Sequence, residues 1–410
     1  MKKIFYGWYI VAAALLLSMY NSAIFVYGFT AFMAPIAGTF GWSYAQVSIA
    51  TSLRGFEAGT LNPLVGVAVD RWPARRLMFI GICLFALGIY FISRSTNLAL
   101  FYISFLVTGL GSATAISMVP MTVIARWFRK NIGKASGMLA IGLAAGGICT
   151  PLMKQMIDTY TWQNTLVYLA AGLLIIGIPL SFLFRNRPED YGMLPDGKAH
   201  DETESVITDD FSVNVGEALK MRSFWFIGIA SLLQTASLHA VALHMIPHLT
   251  NTGIEAGNAA LAVSIFAIVS IPARIIYGVA ADIFKKKYVM ASSMVLTVVG
   301  LSLFSYLNGD SYIPVVIFAI IHGFAAGGST TIRTPVVRDY FGAGNFGKIF
   351  GLMAIFVTLG VVAGAPIAGL VYDTRGVYFP IWLIYAGINF VASVLVLVLP
   401  DAPKTGNIPD

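Results

Sequence analysis

Twelve stretches of mostly apolar residues, each about 20 residues long or longer, follow one another along this 410-residue chain. A helix needs about 20 apolar residues to cross the hydrocarbon core of a bilayer, so each stretch is long enough to span a membrane once. Their approximate bounds are 7–33, 44–69, 77–95, 99–125, 136–158, 164–184, 222–248, 258–281, 288–306, 312–337, 348–371 and 377–400. Only 11% of the residues are charged, against about 25% in soluble domains, so this apolar surface cannot be covered in water. The sequence therefore predicts an all-α membrane protein with twelve transmembrane helices, the first of them retained and not a cleaved signal peptide.

The basic residues are unevenly divided between the two sides that twelve consecutive spans define. All but six of the 26 lysines and arginines fall on one side, which we call the basic side. The exceptions are Arg54, Arg94, Lys154, Arg274, Arg333 and Arg375. Because cytoplasmic loops carry the excess of lysine and arginine, we expect a protein of the cell (inner) membrane with both termini in the cytoplasm. The net charge of +7 reflects this asymmetry and indicates no nucleic-acid partner, since stacking aromatic residues are not interleaved with the basic clusters.

The chain consists of two sets of six spans, separated by its one long polar stretch. The two sets match at a constant offset of 212 residues, which pairs Pro35 with Pro247, Asp70 with Asp282, and Arg126 with Arg338. A parallel repeat of six-helix halves is typical of a class of secondary transporters. The predicted organisation is an N-terminal half at 1–184, a cytoplasmic linker at 185–221 and a C-terminal half at 222–410.

A charged motif follows the second span. From Gly66 to Arg76 the sequence reads G-V-A-V-D-R-W-P-A-R-R, which resembles the G-x-x-x-D-R-x-x-x-R-R signature of the major facilitator superfamily. A degraded copy, G-V-A-A-D-I-F-K-K-K, begins at Gly278. With the spans and the repeat, this resemblance implies the major facilitator fold, whose two pseudo-symmetric halves move substrate by alternating access. The gating residues expected on the basic side are Asp70, Arg71, Asp282, Arg126 and Arg338.

Four further segments resemble the monocarboxylate-transporter and oxalate/formate-antiporter branch of that superfamily. They lie at 6–8, at 40–63 with its Asn62-Pro63 pair, at 125–137 and at 187–197. The branch has an Asp four residues before an Arg in helix 8, and here the Arg is Arg274 but the Asp position is Ser270. Its helix-1 lysine falls on Tyr27. The resemblance implies that Arg274 anchors the substrate, whereas the branch's Lys/Asp proton relay is not carried over.

Ionisable residues within a span are functional candidates. Arg274 stands eight residues before Asp282, about 12 Å from the end of its span, and a guanidinium there can hold a carboxylate by two parallel hydrogen bonds. The alternative for Arg274 is a structural bridge within the C-terminal half. Glu57 and His239 are the candidate proton carriers, with a neutralised pair of Arg54 and Glu57 and a satisfied core histidine as alternatives. The predicted substrate-binding residues are Arg274, Tyr27, His239, Asn62, Ser117 and Arg333.

No cofactor, metal or catalytic site is predicted. His244 and His248 have the spacing of a metal-binding pair, but no carboxylate or cysteine joins them and Pro247 disturbs the turn between them. The sequence contains no Walker A motif and no H-E-x-x-H, so it favours neither an ATP-driven pump nor an enzyme.

The sequence as a whole predicts a secondary-active carrier of a small monocarboxylate, such as lactate or pyruvate, by symport with a proton. Its partners are the organic anion, the proton and the lipid bilayer, and a monomer is sufficient for this activity. The alternatives are an exchanger of the oxalate/formate type, for which Arg274 and Arg333 would supply two positive charges, and a receptor that binds without transport.

Overall fold

The fold is seen in a computed structural model, which describes residues 5–128, 131–197, 213–309, 311–342 and 345–402. Within these ranges the side chains at 54–64, 66, 67, 70, 132, 133, 136, 140, 197 and 347 lie outside the description. Every regular element in the described ranges is a helix. The helices before the linker are α1 (Gly7–Asn21), α2 (Phe29–Phe40), α3 (Tyr44–Arg71), α4 (Ala74–Ser93), α5 (Leu98–Ser112), α6 (Val119–Trp127), α7 (Ile132–Ala145) and α8 (Thr150–Ser181). Those that follow are α9 (Val215–Ala218), α10 (Arg222–Asn251), α11 (Ala256–Ile283), α12 (Lys286–Ser305), α13 (Ile313–Phe341), α14 (Phe346–Arg375) and α15 (Phe379–Leu397).

The predicted spans coincide with these helices. Ten helical stretches are long and apolar enough to cross a membrane, and nine of them overlap one predicted span each. The tenth, Gly137–Ser181, contains two predicted spans, which meet at Thr161 with φ 74°. The remaining span, predicted at 44–69, is α3, whose 28 residues are long enough to cross a bilayer. The predicted all-α fold with twelve spans is therefore confirmed.

The described residues form two compact units. The first covers 5–42 and 53–197, and the second covers 43–52 and 213–402. The second unit thus includes the beginning of α3, whose later turns belong to the first unit. The entry segment, Ser43–Ser52, is therefore packed with helices that come more than 170 residues later in the chain, which the sequence division into 1–184 and 222–410 does not anticipate.

Two helices of the first unit are interrupted by π-helical turns. Ser22–Val26 lies between α1 and α2, and Ala113–Met118 lies between α5 and α6. A π turn inserts one residue into the α-helical ladder and is frequent at functional positions. Both interruptions lie in spans predicted to carry substrate-binding residues, and Tyr27 directly follows the first of them.

Several helix ends have identifiable stop and start residues. Gly41 ends α2 with φ 66°, and Gly376 ends α14 with φ 71°, a left-handed conformation that costs glycine little. Asn97 begins α5 by accepting a hydrogen bond from the Leu100 backbone N–H at 2.9 Å. These local signals set the lengths of the spans before any tertiary contact is considered.

Candidate functional site

An arginine from α13 and a threonine from α10 meet inside the second unit. The Nη2 group of Arg333 donates a hydrogen bond to Thr235 Oγ1 at 3.3 Å. Within the part of the chain whose side chains are described, no carboxylate forms an ion pair with Arg333. A guanidinium has five N–H donors, and only one of them is used by Thr235. The other donors can bind the oxygen atoms of an anion. The half-buried position of Arg333 shields this charge from bulk water and strengthens such an interaction.

The second predicted arginine, Arg274, lies in the same layer of the unit. Helices α11 and α13 are parallel neighbours in close contact, since a Cβ atom at Gly323 would lie 2.5 Å from Phe266 O and one at Gly327 would lie 2.4 Å from Ser270 O. This register pairs position 333 with position 276, so Arg274 and Arg333 lie about two residues apart in depth along the helix axes, roughly 3 Å. Both side chains are half-buried. The unit therefore carries two arginines at nearly the same depth, an arrangement that suits the binding of one small anion.

Buried hydrogen bonds fix the rotation of α10, on which Thr235 and His239 lie one turn apart. Gln234 Nε2 donates to Ser293 Oγ of α12 at 3.2 Å, and Asn389 Nδ2 of α15 donates to Ser237 Oγ at 2.8 Å. Because Gln234 and Ser237 are buried against α12 and α15, the half-buried residues between and after them face away from those helices. Thr235 was missed by the sequence analysis, although its position one turn before His239 could have indicated it.

Two of the predicted residues of the first unit, Tyr27 and Ser117, lie at its π-helical turns. Tyr27 is buried, with 6% of its surface exposed, and its backbone N–H donates to Ser22 O at 3.0 Å. Ser117 lies within the other π turn and is exposed. The side chains of Glu57, Asn62 and Asp70 lie outside the described residues, so their predicted roles stay predictions.

The predicted gating residues lie near the ends of their helices. Arg71, Asp282 and Arg338 are exposed, and Arg126 is half-buried. Asp282 forms no ion pair with any residue that the structure describes. Their proposed action on one conformational state remains a prediction.

The three lysines of the degraded motif meet two aspartates, to which the sequence assigned no role, on the basic side of the second unit. Asp401 pairs with Lys285 at 2.6 Å and with Lys287 at 2.8 Å, and Asp339 pairs with Lys286 at 2.7 Å. Together they line a cavity of about 230 Å³. Hydrogen bonds from Lys285 and Lys287 lower the pKa of the Asp401 carboxyl to about 2. The hydrogen bond to Asp401 likewise raises the pKa of Lys285. These pairs tie the segment after α15 to the start of α12.

A histidine–tyrosine cluster lies near the other end of the second unit. His244 Nδ1 is 2.9 Å from Tyr378 Oη, and its Nε2 is 2.9 Å from Ala365 O and 3.1 Å from Ser48 Oγ. His248 Nε2 donates to Phe304 O at 2.8 Å. The sequence shows the two histidines but not these partners, because Ser48 and Tyr378 come from remote spans.

Comparisons with known proteins agree with this fold. The sequence profile of the Major Facilitator Superfamily matches residues 11–251 and 225–410. Monocarboxylate transporter 2 of Homo sapiens is 23% identical over 416 residues, covering 96% of this chain and 85% of the relative. Monocarboxylate transporter 4 of Gallus gallus is 24% identical over 404 residues, covering 96% and 82%. The solved structure of the nucleoside transporter NupG superposes with a TM-score of 0.76 at 15% identity, over 96% of this chain and 98% of that one. The resemblance indicated by the sequence motifs is thereby confirmed.

Proposed function

Because the chain belongs to the major facilitator superfamily, it is a membrane transporter and not an enzyme, and we propose that it carries a small monocarboxylate of the lactate or pyruvate type together with a proton. Relatives named as monocarboxylate transporters cover nearly the whole chain and support this substrate class. The proposed location is the cell (inner) membrane with both termini in the cytoplasm, which follows from the positive-inside rule. A monomer is sufficient.

The observation that carries the proposal is the Arg333–Thr235 contact in the same layer as Arg274. A guanidinium binds a carboxylate with two parallel hydrogen bonds, and a threonine hydroxyl can bond to the same anion or to its 2-hydroxyl or keto oxygen. Since Arg333 has a neutral partner and no carboxylate partner among the described side chains, its charge is not neutralised by any residue that the structure describes. We assign the substrate carboxylate to Arg274 and Arg333.

The remaining predicted residues complete this proposal. Tyr27 and Ser117 from the first unit and His239 from the second would contact the body of the substrate, and Asn62 is the position that matches Arg274 across the repeat. Glu57 and His239 are the proton carriers that the sequence predicts. A proton cancels the charge of the anion, so uptake need not work against an inside-negative membrane potential.

The two arginines also favour a second candidate function, an anion exchanger of the oxalate/formate type. Two fixed positive charges in one layer suit a dianion, or two anions bound in turn, without any proton. The exchanger and the symporter differ in their response to a pH gradient, because only the symporter moves a proton with each anion.

The test uses the full chain reconstituted in liposomes and a panel of carboxylates that compete with labelled lactate. Symport predicts that an inward proton gradient drives accumulation of lactate or pyruvate above its external concentration. Rapid lactate exchange whose rate does not change with the proton gradient would favour the exchanger. Binding of a carboxylate without any flux would indicate a receptor and contradict the proposal.

A further inference from the structure

We propose that His244 is a proton-binding site and that protonation of its imidazole releases the entry segment of α3 from the second unit. The inference deepens the proposed function, on whose proton coupling it rests, by adding a third proton-binding residue and the movement to which it is linked. It is carried by the geometry of the entry segment and by the hydrogen bonds of His244.

The entry segment is held in the second unit by α14. The backbone N–H groups of Tyr44 and Ala45 donate hydrogen bonds to Asp373 Oδ1 and Oδ2, each at 2.9 Å. These are the first donors of α3, which have no acceptor within the helix, so Asp373 caps it with a full negative charge. The Tyr44 ring stacks on Tyr372 at 5.0 Å. A Cβ atom at Gly369 would lie 2.6 Å from the Ala45 backbone nitrogen, so α14 admits the segment only because this residue is glycine.

His244 lies beneath this segment and is completely buried. A carbonyl oxygen only accepts hydrogen bonds, so His244 Nε2 carries a proton and donates it to Ala365 O. In the neutral ring Nδ1 is then an acceptor, and the Tyr378 hydroxyl donates to it. Ser48 Oγ donates to Tyr44 O at 2.7 Å and presents its lone pairs to His244 Nε2. The docked arrangement therefore holds a neutral imidazole of one defined tautomer.

A second proton on His244 would bind to Nδ1, the atom that faces Tyr378. The titratable groups around the ring are His239 and His248 on α10, Tyr44 on α3, Tyr372 and Asp373 on α14, and Tyr378 before α15. The only carboxylate among them, Asp373, already accepts two backbone N–H groups of α3. Among the described residues an imidazolium would thus be a buried charge without a paired anion, which is costly, and it would also force the Tyr378 hydroxyl to give up its donor role.

Thermodynamic linkage then sets the direction of the effect. A ligand favours the state that binds it better, and the proton binds better to the undocked state, in which water reaches the ring. Protonation of His244 therefore promotes release of the entry segment on the side opposite the basic side. Redocking requires that the N–H bond on Nδ1 breaks, and the proton then passes to water or to His239, which lies about 7–8 Å further along α10 towards Thr235.

The first experiment measures docking and needs no substrate. Ser52 is the last residue of the entry segment; it is buried, and its Oγ makes no hydrogen bond with any described residue, so Ser52→Cys removes no described polar contact. In a background with Cys83→Ser and Cys149→Ser, the labelling rate of this thiol is measured in lipid nanodiscs from pH 8 to about pH 5, a range that brackets the usual histidine pKa. Each rate is divided by that of the protein unfolded in detergent at the same pH, which removes the titration of the thiol itself.

We expect the normalised rate to rise severalfold as the pH falls, and to become independent of pH in His244→Gln, whose amide can still donate to Ala365 O. Tyr378→Phe removes the donor that stabilises the neutral docked ring, so its transition should move to higher pH. The matched control is His322→Gln, a buried histidine of α13 outside this cluster, which should keep the wild-type transition. An unchanged transition in both His244→Gln and Tyr378→Phe would overturn the proposal.

The second experiment measures transport in proteoliposomes. His244→Gln should lose lactate accumulation driven by a pH gradient, whereas lactate counterflow, which needs no net proton movement, should stay within about twofold of wild type. Gradient-driven uptake that survives in His244→Gln would contradict the site. If the wild-type protein carries no lactate at all, the proposed substrate is wrong, while the labelling experiment still decides the role of His244.

Discussion

The interiors of the two units differ although their helices follow the same repeat. In the first unit the described core is rich in phenylalanine, with Phe105 packed edge-on against Phe25 at 5.9 Å and Phe29 at 5.3 Å. In the second unit, buried imidazoles and amides such as His244, His248 and Gln234 lie among the helices.

The constant offset of 212 residues allows this difference to be stated residue by residue. Arg333 corresponds to Met121, Arg274 to Asn62, and His244 to Phe32. A repeated helical scaffold needs small residues where helices touch, but it accepts either apolar or hydrogen-bonded polar residues elsewhere. The repeat therefore determines where the helices lie, whereas the buried ionisable residues that the structure describes are concentrated in the second unit.

The largest effect is expected from changing the two arginines of the second unit whose repeat positions in the first unit, Met121 and Asn62, are uncharged. Arg333→Lys and Arg274→Lys each keep a positive charge but lose the planar fork, and we expect uptake to fall by about 100-fold or more in each. Membrane insertion should be unchanged, as measured by yield and gel filtration. Arg375→Gln, at the exposed end of α14, is the control and should transport normally. Substrate binding that survives Arg274→Ala and Arg333→Ala unchanged would remove the contrast between the units.

Substitution of a glycine at a close helix contact should lower stability to a similar extent in both units, because such contacts belong to the scaffold that the units share. A Cβ atom at Gly88 would lie 2.6 Å from the Thr108 nitrogen in the first unit, and one at Gly364 would lie 2.0 Å from Ala236 O in the second. Gly88→Val and Gly364→Val should each lower the free energy of unfolding by about 2–3 kcal/mol. Thermal melting in detergent measures this, with Gly387→Val as control, since no atom lies within 4 Å of its Cβ position. A loss of stability in only one of the two variants would show that the helix scaffolds of the two units are not equivalent.

A third test concerns the charged motif, which is complete only in the first unit. Asp70→Asn should slow uptake by about tenfold and change substrate affinity much less, because a residue at a helix end can only bias one conformational state against the other. Uptake rate and binding affinity are measured side by side. An equal loss of both would indicate that Asp70 contributes to the binding site.

Thr235 offers a smaller test of the proposed substrate site at Arg274 and Arg333. Thr235→Val removes the neutral partner of Arg333 but keeps the shape of the side chain, so we expect KM for lactate to rise by about five- to tenfold with little change in kcat. Thr235→Ser should restore most of the affinity. An unchanged KM in both variants would show that Thr235 does not contribute to substrate binding.

The smallest effect is expected at Asp401. Its pKa of about 2 in the folded protein is below the ordinary value of 3.8, so the ionised carboxyl stabilises the folded state above about pH 4, and this contribution is lost as the pH falls through 2. Because the pair is exposed, Asp401→Asn should lower the melting temperature only slightly at pH 7 and much less near pH 2, where most of this contribution is already lost. A difference near pH 2 as large as that at pH 7 would assign another role to Asp401.

The span pattern, the side that carries the basic residues and the repeat could all be read from the sequence, because each depends on local composition. Apolar length alone decides whether a helix can cross a bilayer, and Gly41 and Gly376 show how single residues end such helices. The placement of Arg274 and Arg333 within spans could also be read from the sequence, since a charge within an apolar stretch is conspicuous without any knowledge of its neighbours, whereas their role in binding stays a prediction.

Which remote groups meet depends on how the helices pack in three dimensions. Thr235 becomes the partner of Arg333 because α10 and α13 lie side by side, and the entry segment belongs to the second unit because Asp373, 329 residues after Tyr44, caps its helix. No local pattern records such pairs, because hydrogen bonds over a few ångströms depend on helix rotation and register. Those in turn are set by the packing of many small contacts at once.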